Sequence, residues 1–404
     1  MTGRVFVCPV INALGPARDP RHPDLLATWP DVDRGLARYF ERSFRDELRD
    51  SVGRPVQLSW FPVSWSGFSS NPVNRDFGWF TVYDHLVETW GEAMARAGDG
   101  IYWMYNHPDR SGVGNVWGLD WFHNCHYLNV LNRLLLERAY FPGAVQIPTA
   151  NSDSTNFTEA FFPFELSNRN AKHINWNRIE ADGRRLSEVL QWASAPDDWQ
   201  PYRPSHEDHQ RPGRMNHWMF RIVDLRTDDI AIPGREWERA FAQAAAGADV
   251  VVAAYEHDFR DRAHVVQEVM LKPIAQAAQR FPEVRIVNAT FQEAALAITG
   301  GDARRPGFSL ERRQGYDLIR ADTPLFGVSP YVAIRDDATG VIRQDFPVPC
   351  GKQAWALPAD ALPERGLAGI AGFAAGGRQG VARFLIESGS EPVTAPCPAQ
   401  VIPL

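Results

Sequence analysis

"DVVVAAYEHD", residues 249–258, decides how the chain is read. Asp249 to Tyr255 is a short apolar run rich in β-branched Val. That is the pattern of a buried strand, of the kind parallel sheets hold beneath covering helices. The run ends in Glu256-His257-Asp258, and α/β folds place chemistry at the carboxyl ends of such strands.

Working outward, "GDGIYWMYNHPDRSG" (98–112) repeats the design. A Gly-Asp-Gly turn opens a strand over Ile101 to Tyr105, and a polar cluster of Asn106, His107 and Asp109 closes it. Pro108 cannot donate to a ladder, so the strand stops near His107. A further strand over Arg4 to Ile11 ends in Asn12. Strands are also expected over Val56–Phe61, 145–147, Phe162–Leu166, Trp218–Leu225 and Val284–Asn288. Apolar residues at helical spacing predict helices over Asp31–Asp50, Phe80–Ala97, Asp120–Arg138, Glu236–Ala246, Ala263–Arg280 and Gln292–Thr299. "PTANSDSTN" after the fourth strand reads as a loop, and so does the Pro-, His- and charge-rich stretch 198–216. Alternating strand and helix through residue 300 means a parallel sheet or barrel with helices outside.

After residue 310 the grammar changes to short strands separated by turn residues. "RDDATGVIRQ" reads as a hairpin, and "GLAGIAGFAAGG" as a buried strand with a turn. The expected organisation is an α/β unit over 1–300 and an antiparallel β-rich region over 301–404 packed on it.

Composition narrows the function classes. With 44% hydrophobic and 23% charged residues the chain is ordinary for a globular protein. Its net charge of -7 provides no basic field for nucleic acid, and no apolar stretch reaches the ~18 residues of a membrane span. Neither GxGxxG nor GxxxxGK[ST] occurs, so no nucleotide cofactor is expected, and the lack of GxSxG argues against an α/β-hydrolase. The amino-terminal stretch is a poor signal peptide. Cys8, Cys125, Cys350 and Cys397 are far apart and read as reduced thiols. A cytoplasmic protein is the expectation. The aromatic content, 14 Trp, 23 Phe and 10 Tyr, supplies a large core and suits the apolar faces of sugar rings.

Candidate site residues follow from the strand ends. Asn12, Asn106-His107 and His257-Asp258 can converge on one face of a parallel barrel. His107 and His257 suit proton transfer, and Asp258 can hold a neighbouring imidazole in one tautomer. Trp60, Trp65 and Trp79 flank the exit of the second strand as a sugar platform. His123 and His126, three apart on a helix, are weaker metal candidates. His206, Asp208 and His209 read as solvated loop residues.

The order of strand ends resembles the polysaccharide deacetylase superfamily, carbohydrate esterase family four, in particular its members from exopolysaccharide biosynthesis. The resemblance spans about residues 3 to 300 and is carried by "GDGIYWMYNHPDRSG", "VVVAAYEHDF", "ERAYFPGAVQIPTANSD" and "DWQPYRPSHEDHQRPG". It implies an irregular (β/α)7-type barrel and metal-dependent removal of an N- or O-acetyl group from an amino-sugar glycan. The metal motifs are degenerate. Asn12 stands where the family has an Asp pair, Ser111 follows His107 where a second His is expected, and "VQIPTAN" lacks the family's Arg. His107 and His257 carry over by position and type.

Three readings follow. The first is a deacetylase-like hydrolase with a rebuilt site: catalytic His107, His257, Asp258 and Asp109, with His107 as metal ligand or base, His257 as acid, and Asp109, Asp120 or His123 recruited as replacement ligands. The second is a metal-free His-based enzyme performing elimination or epimerisation on a sugar-like molecule. The third is a non-catalytic glycan-binding protein. Asn12, Trp60, Trp65, Asn106 and Asn151 are the expected substrate contacts. A zinc-like divalent metal and a metal-free site stay equally open, as does oligomerisation; the partner is a carbohydrate or small polar substrate.

Overall fold

The computed structural model describes residues 2–20, 22–63, 80–105, 125–147, 152–170, 192–225 and 234–396. Up to residue 300 they carry β1 (Arg4–Ala13), β2 (Ser59–Pro62), β3 (Gly100–Ile101), β4 (Trp103–Met104), β5 (Val145–Gln146), β6 (Phe164–Asn168), β7 (Trp218–Arg221), β8 (Val223–Asp224), β9 (Val250–His257) and β10 (Arg285–Asn288). The pairings among these strands are parallel. Between them run helices, among them Phe80–Ala97, Cys125–Arg138 and Gly234–Ala245. The fold is therefore mixed α/β, as the alternation predicts.

β1 is long because it serves two neighbours in succession. One edge pairs with β9 from Val5↔Val250 to Asn12↔His257. The other pairs first with β10, over Arg4–Val7, and then with β2, over Val10–Ala13. One sheet has the order β3-β2-β1-β9-β8 with β10 beside β1; a second has the order β4-β5-β6-β7. Only Tyr102 separates β3 from β4, and only Ile222 separates β7 from β8. The two sheets thus share chain at both margins, although the strands do not form one continuous hydrogen-bonded sheet.

Residue parity decides what each face meets, because successive strand side chains point to opposite sides. Cys8 and Val10 of β1, Tyr255 of β9, Leu166 of β6 and Phe220 of β7 enter one core cluster, so both sheets turn a face to the same interior. The alternate residues, such as Ile11, Trp60, Trp103 and Met219, pack with the helices in another. Helix Phe291–Thr299 closes the interior at the strand starts: Phe291 N donates to Ser59 Oγ (2.8 Å) and Gln292 N to Tyr102 Oη (3.2 Å). It opens with a Thr290/Glu293 capping box and stops at Gly300, whose φ of 73° is a left-handed cap.

Two helix expectations and one loop expectation are corrected. The run Asp31–Asp50 forms two pieces, Trp29–Tyr39 and Arg42–Arg45. Arg45 Nε donates to Tyr39 O (2.6 Å), which caps the first piece and turns the chain. "PTANSDSTN" contributes helix Ser152–Glu159; its Ser, Asp and Thr have weak intrinsic helix preference, and burial of Phe157 and Thr158 overrides it. The run Ala263–Arg280 contains a π turn at Val266–Leu271. Pro273 lacks an N–H, so the Val269 carbonyl has no donor four residues on, and Trp237 Nε1 donates to it (2.9 Å).

The remainder is antiparallel. β11 (Phe308–Arg313), β12 (Tyr316–Ala321), β13 (Tyr331–Asp336), β14 (Ile342–Asp345), β15 (Val348–Gly351), β16 (Ala354–Pro358), β17 (Arg365–Phe373), β18 (Gln379–Glu387) and β19 (Val393–Thr394) form sheets ordered β11-β12-β16-β15 and β14-β13-β17-β18-β19. The expected hairpin is β13–β14, with Arg335 opposite Ile342. The two sheets enclose their own core, which includes Ile319, Ile334, Trp355 and Ile370. Other β13 and β17 residues, Tyr331, Leu367 and Phe373, join the helix-side core of the α/β unit. Gly369 permits the approach: a Cβ there would lie 2.7 Å from Leu135 Cγ. Tyr331 Oη donates to Asn132 Oδ1 (2.7 Å) and Arg383 Nη1 to Leu136 O (2.7 Å). No helix among the described residues is long and apolar enough to cross a membrane.

Asp99 anchors β2 and β3 against the first helices. Its carboxylate takes both ends of the Arg45 guanidinium (2.6 and 2.7 Å), Leu58 N (2.9 Å) and Trp60 Nε1 (2.9 Å). Removing one partner of such a buried pair strands the other. Asp99→Ala is expected to lower unfolding free energy by about 3–5 kcal/mol, read from urea midpoints; a loss under about 1 kcal/mol contradicts the anchor.

Candidate functional site

The parity that builds the interior also selects what faces inward at the carboxyl ends. On β1 the inward series Phe6, Cys8, Val10 continues to Asn12; on β9 Val251, Ala253, Tyr255 continues to His257. Ala144, just before β5, is followed two residues later by Gln146, and Ile222, just before β8, by Asp224. The carboxyl ends of four strands from both sheets therefore present Asn12, His257, Gln146 and Asp224 to one interior.

Asn12 and His257 lie directly side by side, being register partners on neighbouring strands. His257 is 4% exposed and packs against the rings of Tyr255 (centroids 5.4 Å) and Phe259 (4.7 Å). Tyr255 Oη donates to Asp224 Oδ2 (2.6 Å), and the Arg169 guanidinium lies over the Tyr255 ring at 4.5 Å. Asn12 and Gln146 are both fully buried, and neither amide has a hydrogen-bond partner at its oxygen or its nitrogen. A buried amide without partners costs free energy, so both side chains are left open to a partner from outside the chain.

Asp258 takes a different part from the one expected. Its oxygens accept from Leu14 N (2.7 Å) and Gly15 N (2.9 Å), and its own N–H donates to Asn12 O (3.3 Å). It fastens the loop after β1 to the end of β9, with no imidazole among these partners. Burial pushes its pKa up to about 7, against the pull of those backbone amides. Trp60 is fully buried on the helix side, stacked on Phe40 (5.8 Å) with its N–H on Asp99. It offers no sugar platform, because its parity is opposite to that of Phe61. Trp65, Trp79, Asn106, His107, Asp109, Asp120, His123 and Asn151 lie outside the described residues, as does the side chain of His126. Cys8 is buried and Cys350 exposed, both as free thiols. In the loop 198–216, His206 meets Glu159 (2.6 Å) and His209 is buried against Trp192 (4.9 Å), so only the first matches a solvated residue.

A catalytic zinc needs three protein ligands. Among the described residues no group of three His, Cys, Asp or Glu side chains can hold a metal. Beside His257 stands the neutral Asn12, and Asp224 is engaged by Tyr255. The described residues do not fit a zinc centre.

Sequence reasoning missed Gln146. Its signal was parity: a lone amide in the apolar run "AVQI", in step with the inward residues. It also missed a buried pair on the helix side, Glu165 and His217, 3.6 Å apart and both fully buried. Thr158 Oγ1 donates to Glu165 Oε2 (2.7 Å). Burial raises the Glu165 pKa to about 7 and lowers that of His217 to about 3.

Compared with family models, with curated proteins and with solved structures, the chain matches none.

Two outcomes are expected. Asn12→Leu removes the desolvated amide and should raise unfolding free energy by about 1–2 kcal/mol; a clear loss in urea titration would show that the amide is structural. The second concerns pH. Glu165 keeps a proton that the unfolded chain releases near its ordinary value, so its contribution falls as pH rises from about 4.5 to 7. His217 refuses a proton that the unfolded chain takes, so its contribution falls as pH drops below about 6.5. The two oppose each other in between. Glu165→Gln should therefore make stability rise more steeply from about pH 4.5 to 6.5, by up to ~1.4 kcal/mol per pH unit, in urea midpoints measured across that range.

Proposed function

We propose that residues 1–300 form a seven-position (β/α) barrel of polysaccharide deacetylase type, acting on a glycan or amino-sugar substrate at the carboxyl ends of its strands. The pairing ladder supports the barrel. It runs β1, β2, β3/β4, β5, β6, β7/β8, β9 and back to β1, with each neighbour parallel. A ring of this size encloses room for side chains or one small ligand.

The observation that carries the functional reading is the buried, unpartnered Asn12 amide in register with His257. In the reaction we favour, the bond between an acyl carbon and its sugar nitrogen or oxygen is hydrolysed. His257 takes a proton from the attacking water and returns it to the leaving atom. Asn12 Nδ2 donates to the carbonyl oxygen, where negative charge develops. Water oxygen bonds to the acyl carbon, acetate leaves, and the sugar amine or hydroxyl is released. The neutral character of Asn12 and Gln146 favours one further reading, a glycan-binding protein without turnover, since amides bind polar ligands but do not accept protons as bases.

Acetate release from N-acetylglucosamine oligomers and from O-acetylated sugars, alongside calorimetric binding of the same sugars, tests the proposal. The purified full chain is expected to release acetate, and His257→Ala to reduce it by about 100-fold or more. Sugar binding with no acetate from either substrate selects the non-catalytic reading. Neither binding nor acetate removes both.

A further inference from the structure

We infer that Gln146 is a ligand-reading residue, and that with Asn12 it selects a neutral group bearing both a donor and an acceptor: an acetamido group or sugar hydroxyls rather than a carboxylate or phosphate. The inference rests on the proposed glycan site and adds the substrate's charge class and a recognition residue on a second strand.

Gln146 closes β5, whose pairing partners are β4 and β6; Asn12 belongs to β1, between β9 and β2. Along the ladder of strands these two are far apart, yet both belong to the inward series that faces one interior. The backbone around Gln146 is satisfied, since its carbonyl accepts from Tyr105 N (2.9 Å). Only the side-chain amide is without partners, at both Nε2 and Oε1, in a residue with no exposure at all. Leu or Met would fill that position at no desolvation cost. The amide is the costly choice, and a ligand is what would repay it.

The residue type specifies the ligand. A carboxamide offers two N–H donors and one oxygen acceptor. An anionic group would accept from the N–H side while meeting the amide oxygen with repulsion. A cation would do the reverse. A second amide, or a hydroxyl that both donates and accepts, satisfies both atoms of Asn12 and both atoms of Gln146. The nearby carboxylate of Asp224 is already engaged by Tyr255, and the Arg169 guanidinium is stacked on the Tyr255 ring.

The experiment uses the full chain and three variants: Gln146→Met, Gln146→Glu and His257→Ala. Calorimetric titration with N-acetylglucosamine oligomers and with glucuronate oligomers is paired with thermal melting in buffer alone. The expected result is that wild type binds the acetamido sugar more tightly than the uronate. Gln146→Met should weaken acetamido-sugar binding by about tenfold or more while melting no lower than wild type. Gln146→Glu should weaken it as well. Unchanged binding in Gln146→Met, with wild type still binding, overturns the role of Gln146 and leaves the glycan site standing. A preference for the uronate overturns the neutral class and points to Arg169. A melting point well below wild type for Gln146→Met assigns the amide a structural task and overturns the inference. No sugar binding by wild type overturns the glycan reading and this inference together, an outcome distinct from the other three.

Discussion

Strands buried on both faces leave polar side chains nowhere to find water. Each must be matched by another part of the chain or by something brought from outside, because an unmatched buried polar group costs on the order of 1–3 kcal/mol. This one constraint sorts the polar residues of the α/β unit. Asp99 is matched by Arg45, Leu58 and Trp60. Arg221 meets Glu236 at 2.6 Å, and the Asn288 amide donates to Leu48 O and Arg54 O. Asn168 donates to Pro196 O and accepts from Asn170 N. These residues rivet helices and loops to the sheets. Asn12 and Gln146 stand apart from them: inward-facing, at strand ends, and unmatched at every side-chain polar atom.

The two faces of the sheets thereby divide their labour. The helix side holds the large rings, Trp60, Trp103 and Trp237, together with the ion pairs that fix the helices. One pair of titrating groups there, Glu165 and His217, is held toward neutrality by burial. Ionised carboxylate and imidazolium at that depth would need more hydrogen bonds than Thr158 and Ser167 supply. The inward side mixes small groups such as Cys8, Val10 and Ala253 with the rings of Phe164, Phe220 and Tyr255 along the strands, and carries Asn12, Gln146 and His257 at the carboxyl ends.

Much of this was legible from residue order. The run Val250–Val252 announced a doubly buried strand, and helix Phe80–Ala97 has the predicted bounds. The change of grammar after residue 310 is the antiparallel region, hairpin included. What escaped was set by tertiary contacts. Nothing local to Tyr39 and Phe40 says that Arg45 will fold back and end a helix there. Ser152–Glu159 looks like a loop until Phe157 and Thr158 are buried. Trp60 was misplaced because aromatic content does not tell which side of a strand a ring occupies, whereas counting parity from Phe61 does. Gln146 was legible by the same count.

Asp258 shows how a correct position can carry the wrong role. Asp258 lies one residue past the end of β9, in the turn that follows, and its carboxylate is taken up by backbone amides. It grips Leu14 N and Gly15 N, while its backbone N–H reaches Asn12 O. The loop leaving β1 and the end of β9 are tied together at the very step where Asn12 and His257 are in register. A residue outside the inward series thus fixes the spacing of two residues inside it. The reaction proposed for Asn12 and His257 would need precise relative placement of the two, and a buried carboxylate bonded to backbone amides supplies it.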